Sequence, residues 1–172
     1  SCNTHRPAVK FKIQDSNVYY GDSIHLSWDI KKSKKITNIS LNKNINHLPK
    51  KCNTVLFFED DTLIELQVHK KNRKYPLKRK RKIRVKIPEV IAFAAYRDRF
   101  NPEKIKLIWQ VKNVTNLSIE GFKRDLPLKG RDSIFSKTKN IFNLIATTPN
   151  QTLHKTCYIE SLIKEDTYVF RD

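Results

Sequence analysis

The side chains of this sequence that could do chemistry are few and scattered. Its three cysteines are Cys2, Cys52 and Cys157, and its five histidines are His5, His25, His47, His69 and His154. No set of them falls at metal-ligand spacing on one expected element. Three successive acids, Glu59, Asp60 and Asp61, stand in front of an expected strand and read as a solvated turn rather than a cation site. Three glycines are too few for a phosphate-cradling loop, and no G-x-S-x-G, H-E-x-x-H or C-x-x-C occurs. No catalytic residue, metal ligand or cofactor is assigned, and the expectation is a protein that binds rather than transforms.

What the chain has in quantity is positive charge: 35 Lys and Arg against 17 Asp and Glu, a net +18. Such a balance favours anionic partners. The charge is concentrated in "KKNRKYPLKRKRKIRVK", where eleven of seventeen residues between Lys70 and Lys86 are basic and none is acidic. The candidate contacts are Lys70, Lys71, Arg73, Lys74, Lys78, Arg79, Lys80, Arg81, Lys82 and Arg84. Single-stranded nucleic acid normally meets stacking aromatics as well as cations, and Tyr75 alone qualifies here. Anionic lipid headgroups or an acidic protein surface need only the charge, about 1 kcal/mol per near-surface cation at a strongly anionic membrane. Nucleic acid is therefore the less favoured partner.

The elements that must carry these residues follow from an internal repeat. Shifting the sequence by 81 lays "PAVKFKIQDSNVYYGDSIHLSWDIK" (7–31) on "PEVIAFAAYRDRFNPEKIKLIWQVK" (88–112), so that Trp28 meets Trp109. After a three-residue deletion the offset becomes 78, with "ITNISLN" on "VTNLSIE" and "TLIELQV" on "NIFNLIA". One offset kept over two blocks of about 80 residues marks a module written twice. Within each copy, apolar residues alternate with polar ones, as in Ile24, Leu26, Trp28 and Ile64, Leu66, Val68. That is the period of strands buried on one face, here separated by short turn-like clusters. Trp28 and Trp109 share the phase of their Ile and Leu neighbours, which predicts core positions rather than sugar-stacking platforms.

The order of these signals, "φ-x-L-x-W-x-φ", then "TNφS", then "φ-x-L-x-A/V", resembles the immunoglobulin-like and fibronectin-III-like repeats of bacterial cell-envelope proteins. It covers roughly residues 7–161. It lacks the Thr-rich, Pro-led stretch common before the penultimate strand of those repeats, and its first copy carries the basic hairpin. The resemblance implies an all-β protein of two tandem immunoglobulin-like antiparallel β-sandwiches in a stiff rod. The expected boundaries are a tether at 1–6, domains at 7–87 and 88–161, and a tail at 162–172. "SCN" at 1–3 is similar to the end of a bacterial lipoprotein signal of the Bacteroidota type, in which the Cys, here Cys2, becomes lipidated. This implies a non-catalytic envelope lipoprotein, anchored at the outer membrane and serving as spacer or adaptor to protein subunits of a larger assembly. The alternative is a polyanion-binding module using 70–86 on nucleic acid, lipopolysaccharide or acidic glycan.

Two further expectations concern the second half. Cys52, read as lying before the fifth strand, and Cys157, in the last strand, occupy non-equivalent positions and are expected to remain thiols. Copy two also turns Ile108, Ile141 and Ile145 outward, where copy one has Ser27, Leu63 and Gln67, and its tail carries Tyr168 and Phe170. Apolar residues outside a core predict a protein interface on the second domain.

Overall fold

The structure, a computed structural model, describes residues 8–31, 35–42, 44–71 and 73–160. Every regular element among them is a strand, and the chain divides between Lys86 and Ile87 into two compact units. The first unit holds β1 (Ala8–Ile13), β2 (Asn17–Tyr19), β3 (Ser23–Lys31), β4 (Ile36–Leu41), β5 (Lys51–Phe57), β6 (Thr62–Lys70) and β7 (Leu77–Lys86). The second holds β8 (Glu89–Arg97), β9 (Lys104–Lys112), β10 (Asn116–Ile119), β11 (Lys129–Phe135), β12 (Ile141–Thr147) and β13 (Thr152–Glu160).

In the first unit the strands form two sheets, ordered β1-β3-β5 and β2-β7-β6-β4. Alternation decides what lies between them. Ile24, Leu26, Trp28 and Ile30 of β3 face Ile39 and Leu41 of β4, Ile64, Leu66 and Val68 of β6, and Ile83 of β7 in one core. The second unit repeats the plan with one difference. Its order is β10-β12-β13-β8-β9-β11, a single six-stranded sheet, because β8 stays unbroken where the first unit interrupts its leading strand between Ile13 and Asn17. β8 pairs antiparallel with β9 along its length and parallel with β13 at Ala95 and Tyr96, so it joins the two layers. A parallel pair also ties β2 to β7. The sandwiches are thus not purely antiparallel, because in each unit the leading strand meets the last strand running in the same direction.

The duplication extends from sequence to hydrogen bonds. The Trp28 indole N–H donates to the Pro49 carbonyl at 2.8 Å, and that of Trp109 to the Pro127 carbonyl at 2.8 Å. A buried indole needs such a partner for its N–H. Leu48 N–H bonds Ile39 O at 3.0 Å and Leu126 N–H bonds Leu117 O at 2.8 Å, again at the offset of 78. Even non-glycine residues with left-handed backbone recur: Lys35 (φ 73) with Asn113 (φ 58), and His47 (φ 58) with Asp125 (φ 53). Such conformations cost energy for most residues, so their repetition reflects a shared chain path rather than shared residue types.

Cys52 is the second residue of β5, not a residue ahead of the strand; it lies directly opposite Trp28. The matching position in β11 is Gly130, opposite Trp109, where a Cβ atom would stand 2.5 Å from Cζ2 of the indole. Cys52 and Cys157 are both thiols.

Candidate interaction faces

The hairpin of β6 and β7 displays the basic run, and the strand period sorts its charges onto two sides. Ile83 is fully buried and fixes the phase of β7. Lys78, Lys80, Lys82 and Arg84 therefore stand on the outer face of the sheet, and Lys86 extends the row. Successive members are roughly 7 Å apart, two strand residues. Arg79 and Arg81 fall on the opposite phase, at the open side of the sandwich. Arg81 crosses to the other sheet there: its Nη2 donates to the Phe11 carbonyl at 3.1 Å, and its guanidinium lies 5.9 Å from the Phe11 ring centroid. Arg81 thus fastens β7 to β1, a role the sequence did not disclose. Lys70 ends β6, while Lys71, Arg73 and Lys74 are exposed in the turn beyond it, Lys74 5.7 Å from the Tyr75 ring.

One acid organises the outer row. Glu65 of β6 lies opposite Lys80 and meets Lys80 at 3.2 Å and Lys78 at 3.4 Å, with its side chain only 14% exposed. Gln67 Nε2 also donates to it. Partial removal from water opposes ionisation of Glu65, but the hydrogen bonds from Gln67, Lys80 and Lys78 outweigh it and hold the carboxyl below its ordinary range. Lys82 reaches Asp61 at 3.8 Å, and Asp61 Oδ1 also accepts the Val85 N–H at 2.8 Å. The "EDD" turn therefore anchors the start of the hairpin. Among the described residues no group of His, Cys, Asp and Glu is placed to hold a metal ion.

The equivalent face of the second unit is nearly uncharged. Where the first unit pairs Leu63 with Lys82, Glu65 with Lys80 and Gln67 with Lys78, the second pairs Ile141 with Tyr158, Asn143 with Thr156 and Ile145 with His154. Ile141 is 49% exposed and Tyr158 67%. Ile145 is half-buried. Thr156 Oγ1 donates to Asn143 Oδ1 at 2.8 Å, and Asn143 Nδ2 to Glu120 Oε2 at 2.8 Å. Tyr158 was missed in the sequence because its exposure follows only from pairing with Ile141.

Ile108 corrects an expectation. It stands outside the core cluster, in outward phase on β9, yet is only 6% exposed. Its cross-strand neighbours are Ala94 on β8 and Arg131 on β11, beside Tyr96, which is itself buried. Covered in this way, Ile108 offers no contact surface. Gln67, read as an outward polar residue of copy one, is buried as well, opposite the buried Ser40. Cys2, Tyr168 and Phe170 lie outside the described residues.

No family model and no curated relative matches this sequence. Among solved structures, the D00-D0 domain of intimin is similar at 11% identity and a TM-score of 0.47, over 87% of this chain and 96% of that one. The full ectodomain of mouse nectin-like molecule 4 (Ig1–Ig3) is similar at 8% identity and 0.45, over 96% of this chain and 66% of that one. Fibronectin(III)-like modules of Clostridium thermocellum CbhA are similar at 10% identity and 0.36, over 95% of this chain and 100% of that one. The strand order places the chain by itself. In the first unit β1, β3 and β5 lie over a sheet built from β4, β6 and β7, in the second β8, β9 and β11 lie over β10, β12 and β13, and in each the leading strand reaches both layers. That is the plan of an immunoglobulin-like or fibronectin-III-like sandwich, here present twice.

Proposed function

We propose that the chain is a non-catalytic adaptor of a bacterial cell envelope, tethered to a membrane through an acylated Cys2. In this reading the first unit rests on an anionic surface through the outer row of β7, and the second binds a protein subunit through Ile141, Ile145 and Tyr158. The observation that carries it is the contrast between two equivalent sheet faces. One fold has been decorated twice, with Lys78, Lys80 and Lys82 in one copy and His154, Thr156 and Tyr158 at the same rungs of the other. A general excess of lysine in the sequence would not spare the matching rungs of the second copy. Fold alone implies no activity; the charge pattern supplies the direction.

The test is co-sedimentation with vesicles of phosphatidylcholine alone or mixed with phosphatidylglycerol. Binding to the anionic vesicles only is expected, weakening steeply with salt because the cations are exposed. Replacing Lys78, Lys80 and Lys82 by Glu should abolish it while Arg81 stays in place to preserve its bond to Phe11. Equal sedimentation of this variant and the parent would refute the membrane-facing role.

A further inference from the structure

We infer that the free edge of β5 accepts an extended segment of a partner protein as an added strand, with apolar residues beside Val55 and Phe57 and acidic residues beside Lys51. The hydrogen bond from Ile30 N–H to Lys50 O, 2.9 Å, sets which residues of this strand face β3. With the antiparallel register it makes Cys52, Thr54 and Leu56 the residues bonded to β3. The backbone N–H and C=O groups of Lys51, Asn53, Val55 and Phe57 consequently point away from the sheet. β5 ends its sheet, and among the described residues no backbone group pairs with Asn53, Val55 or Phe57. The one contact there is weak, Cys52 Sγ to Asn53 O at 3.6 Å.

Exposed edges invite strand addition, and proteins usually blunt them with proline, bulges or charge. β5 has lysine at its start only. Its register to β3 runs without a bulge, and Val55 and Phe57 are 43% and 70% exposed. The second unit treats its matching edge differently. In β11, Asp132 Oδ1 accepts the Ser133 N–H at 2.7 Å, and Lys123 holds the same carboxylate at 2.6 Å. That edge donor is already occupied, at the position matching Val55. The inference is therefore specific to the first unit.

Charge sets the polarity of the incoming strand. Lys51 lies at one end of β5, on the face that also carries Lys10 and Lys12 of β1. The acid of that face, Asp29, is drawn to Lys31 at 3.6 Å. Beyond the other end come Glu59, Asp60 and Asp61. An antiparallel partner strand thus begins apolar against Phe57 and ends acidic against Lys51. The net charge of +18 makes a second copy of this chain a poor donor.

The probe is the capped peptide Thr-Val-Thr-Ile-Thr-Glu-Thr-Glu, titrated into the 15N-labelled full chain. Amide shifts are expected at Asn53, Val55 and Phe57, and N-methylation of alternate peptide amides should abolish them. Val55→Pro removes one outward N–H without touching the bonds to β3, a placement edge strands tolerate. It should weaken binding by up to about tenfold, the worth of one hydrogen bond, and leave vesicle binding unchanged, so failure here is separable from failure of the membrane role. If Val55→Pro melts below the parent, the N-methylated peptide alone decides. The inference is overturned by shifts confined to the lysines of β7, by equal binding of the N-methylated peptide, or by no shift at millimolar peptide.

Discussion

At the scale of single residues, the two tryptophans illustrate how one contact is built with different neighbours. Each donates its indole N–H to a proline carbonyl, but Trp28 lies opposite a cysteine and Trp109 opposite a glycine. The ring of Trp109 occupies the space where a side chain at position 130 would begin. Gly130→Ala should therefore overpack the second unit, at about 1–3 kcal/mol, whereas Trp109→Ala should leave a cavity at about 3–5 kcal/mol. Denaturant melts of the two variants check this, and an unchanged midpoint for Gly130→Ala would show that the indole can withdraw. Arg97 is a second device of this kind. Its guanidinium donates to the carbonyls of Pro102, Ser136, Lys137 and Lys139 and to Asn140 Oδ1, at 2.7 to 3.4 Å. The planar fork of arginine suits such divergent acceptors in a way a lysine does not, and it ties two loops at one end of the second sandwich.

At the scale of elements, the β6–β7 hairpin is a cation ladder restrained by one acid. Glu65→Gln keeps the shape and removes the charge that holds Lys78 and Lys80. We expect this variant to bind anionic vesicles more tightly than the parent at the same salt; weaker binding would mean that Glu65 serves by aligning the lysines. The same acid couples the hairpin to pH. Three carboxyls sit below their ordinary range: Glu65 as described, Asp98 through the Phe100 N–H and then Lys106, and Asp132 through Lys123 and then the Ser133 N–H. A carboxyl with a depressed folded pKa binds its proton less readily than in the unfolded chain. Its stabilisation is thus complete above the unfolded value, about 4, and lost as pH falls through the folded one. Thermal midpoints should be flat from neutral pH to the ordinary carboxylate range and fall below it. In the same acidic range vesicle binding per folded molecule should rise, as Glu65 releases its lysines.

At the scale of the whole molecule, two copies of one sandwich have diverged on their surfaces while keeping their interiors. Core positions exchange like for like, Ile24 for Ile105, Leu26 for Leu107 and Leu66 for Leu144, because each must fill the space between two sheets. Outer positions carry no such demand and are free to specialise. The proposed adaptor role implies a fixed attachment, and the one proposed, acylated Cys2, is testable without reference to either unit. Mass spectrometry of the native N-terminal peptide should find acyl chains on Cys2, and Cys2→Ala should leave the protein in the aqueous phase of a detergent partition. An unmodified peptide continuing upstream of Ser1 would remove the anchor from the proposal.

The sequence by itself determined the duplication, the strand phases and the core. These rest on alternation and offset, which are local quantities, and every residue from Ile24 to Ile30 that alternation turned inward is buried. It also determined where charge is concentrated, since the basic run is contiguous. Only the tertiary structure decided which of those charges share a face. Strand period separates Arg79 and Arg81 from their lysine neighbours, and the approach of β1 then gives Arg81 a structural partner some seventy residues away. It likewise decided that Ile108 is covered and Tyr158 is not. Both stand in outward phase, and outward phase fixes only the direction of a side chain. Whether it meets water depends on what adjacent strands place beside it, and for Ile108 those are Ala94 and Arg131, residues distant in the chain. The sequence contains those neighbours, but their pairing exists only once the sheet has formed.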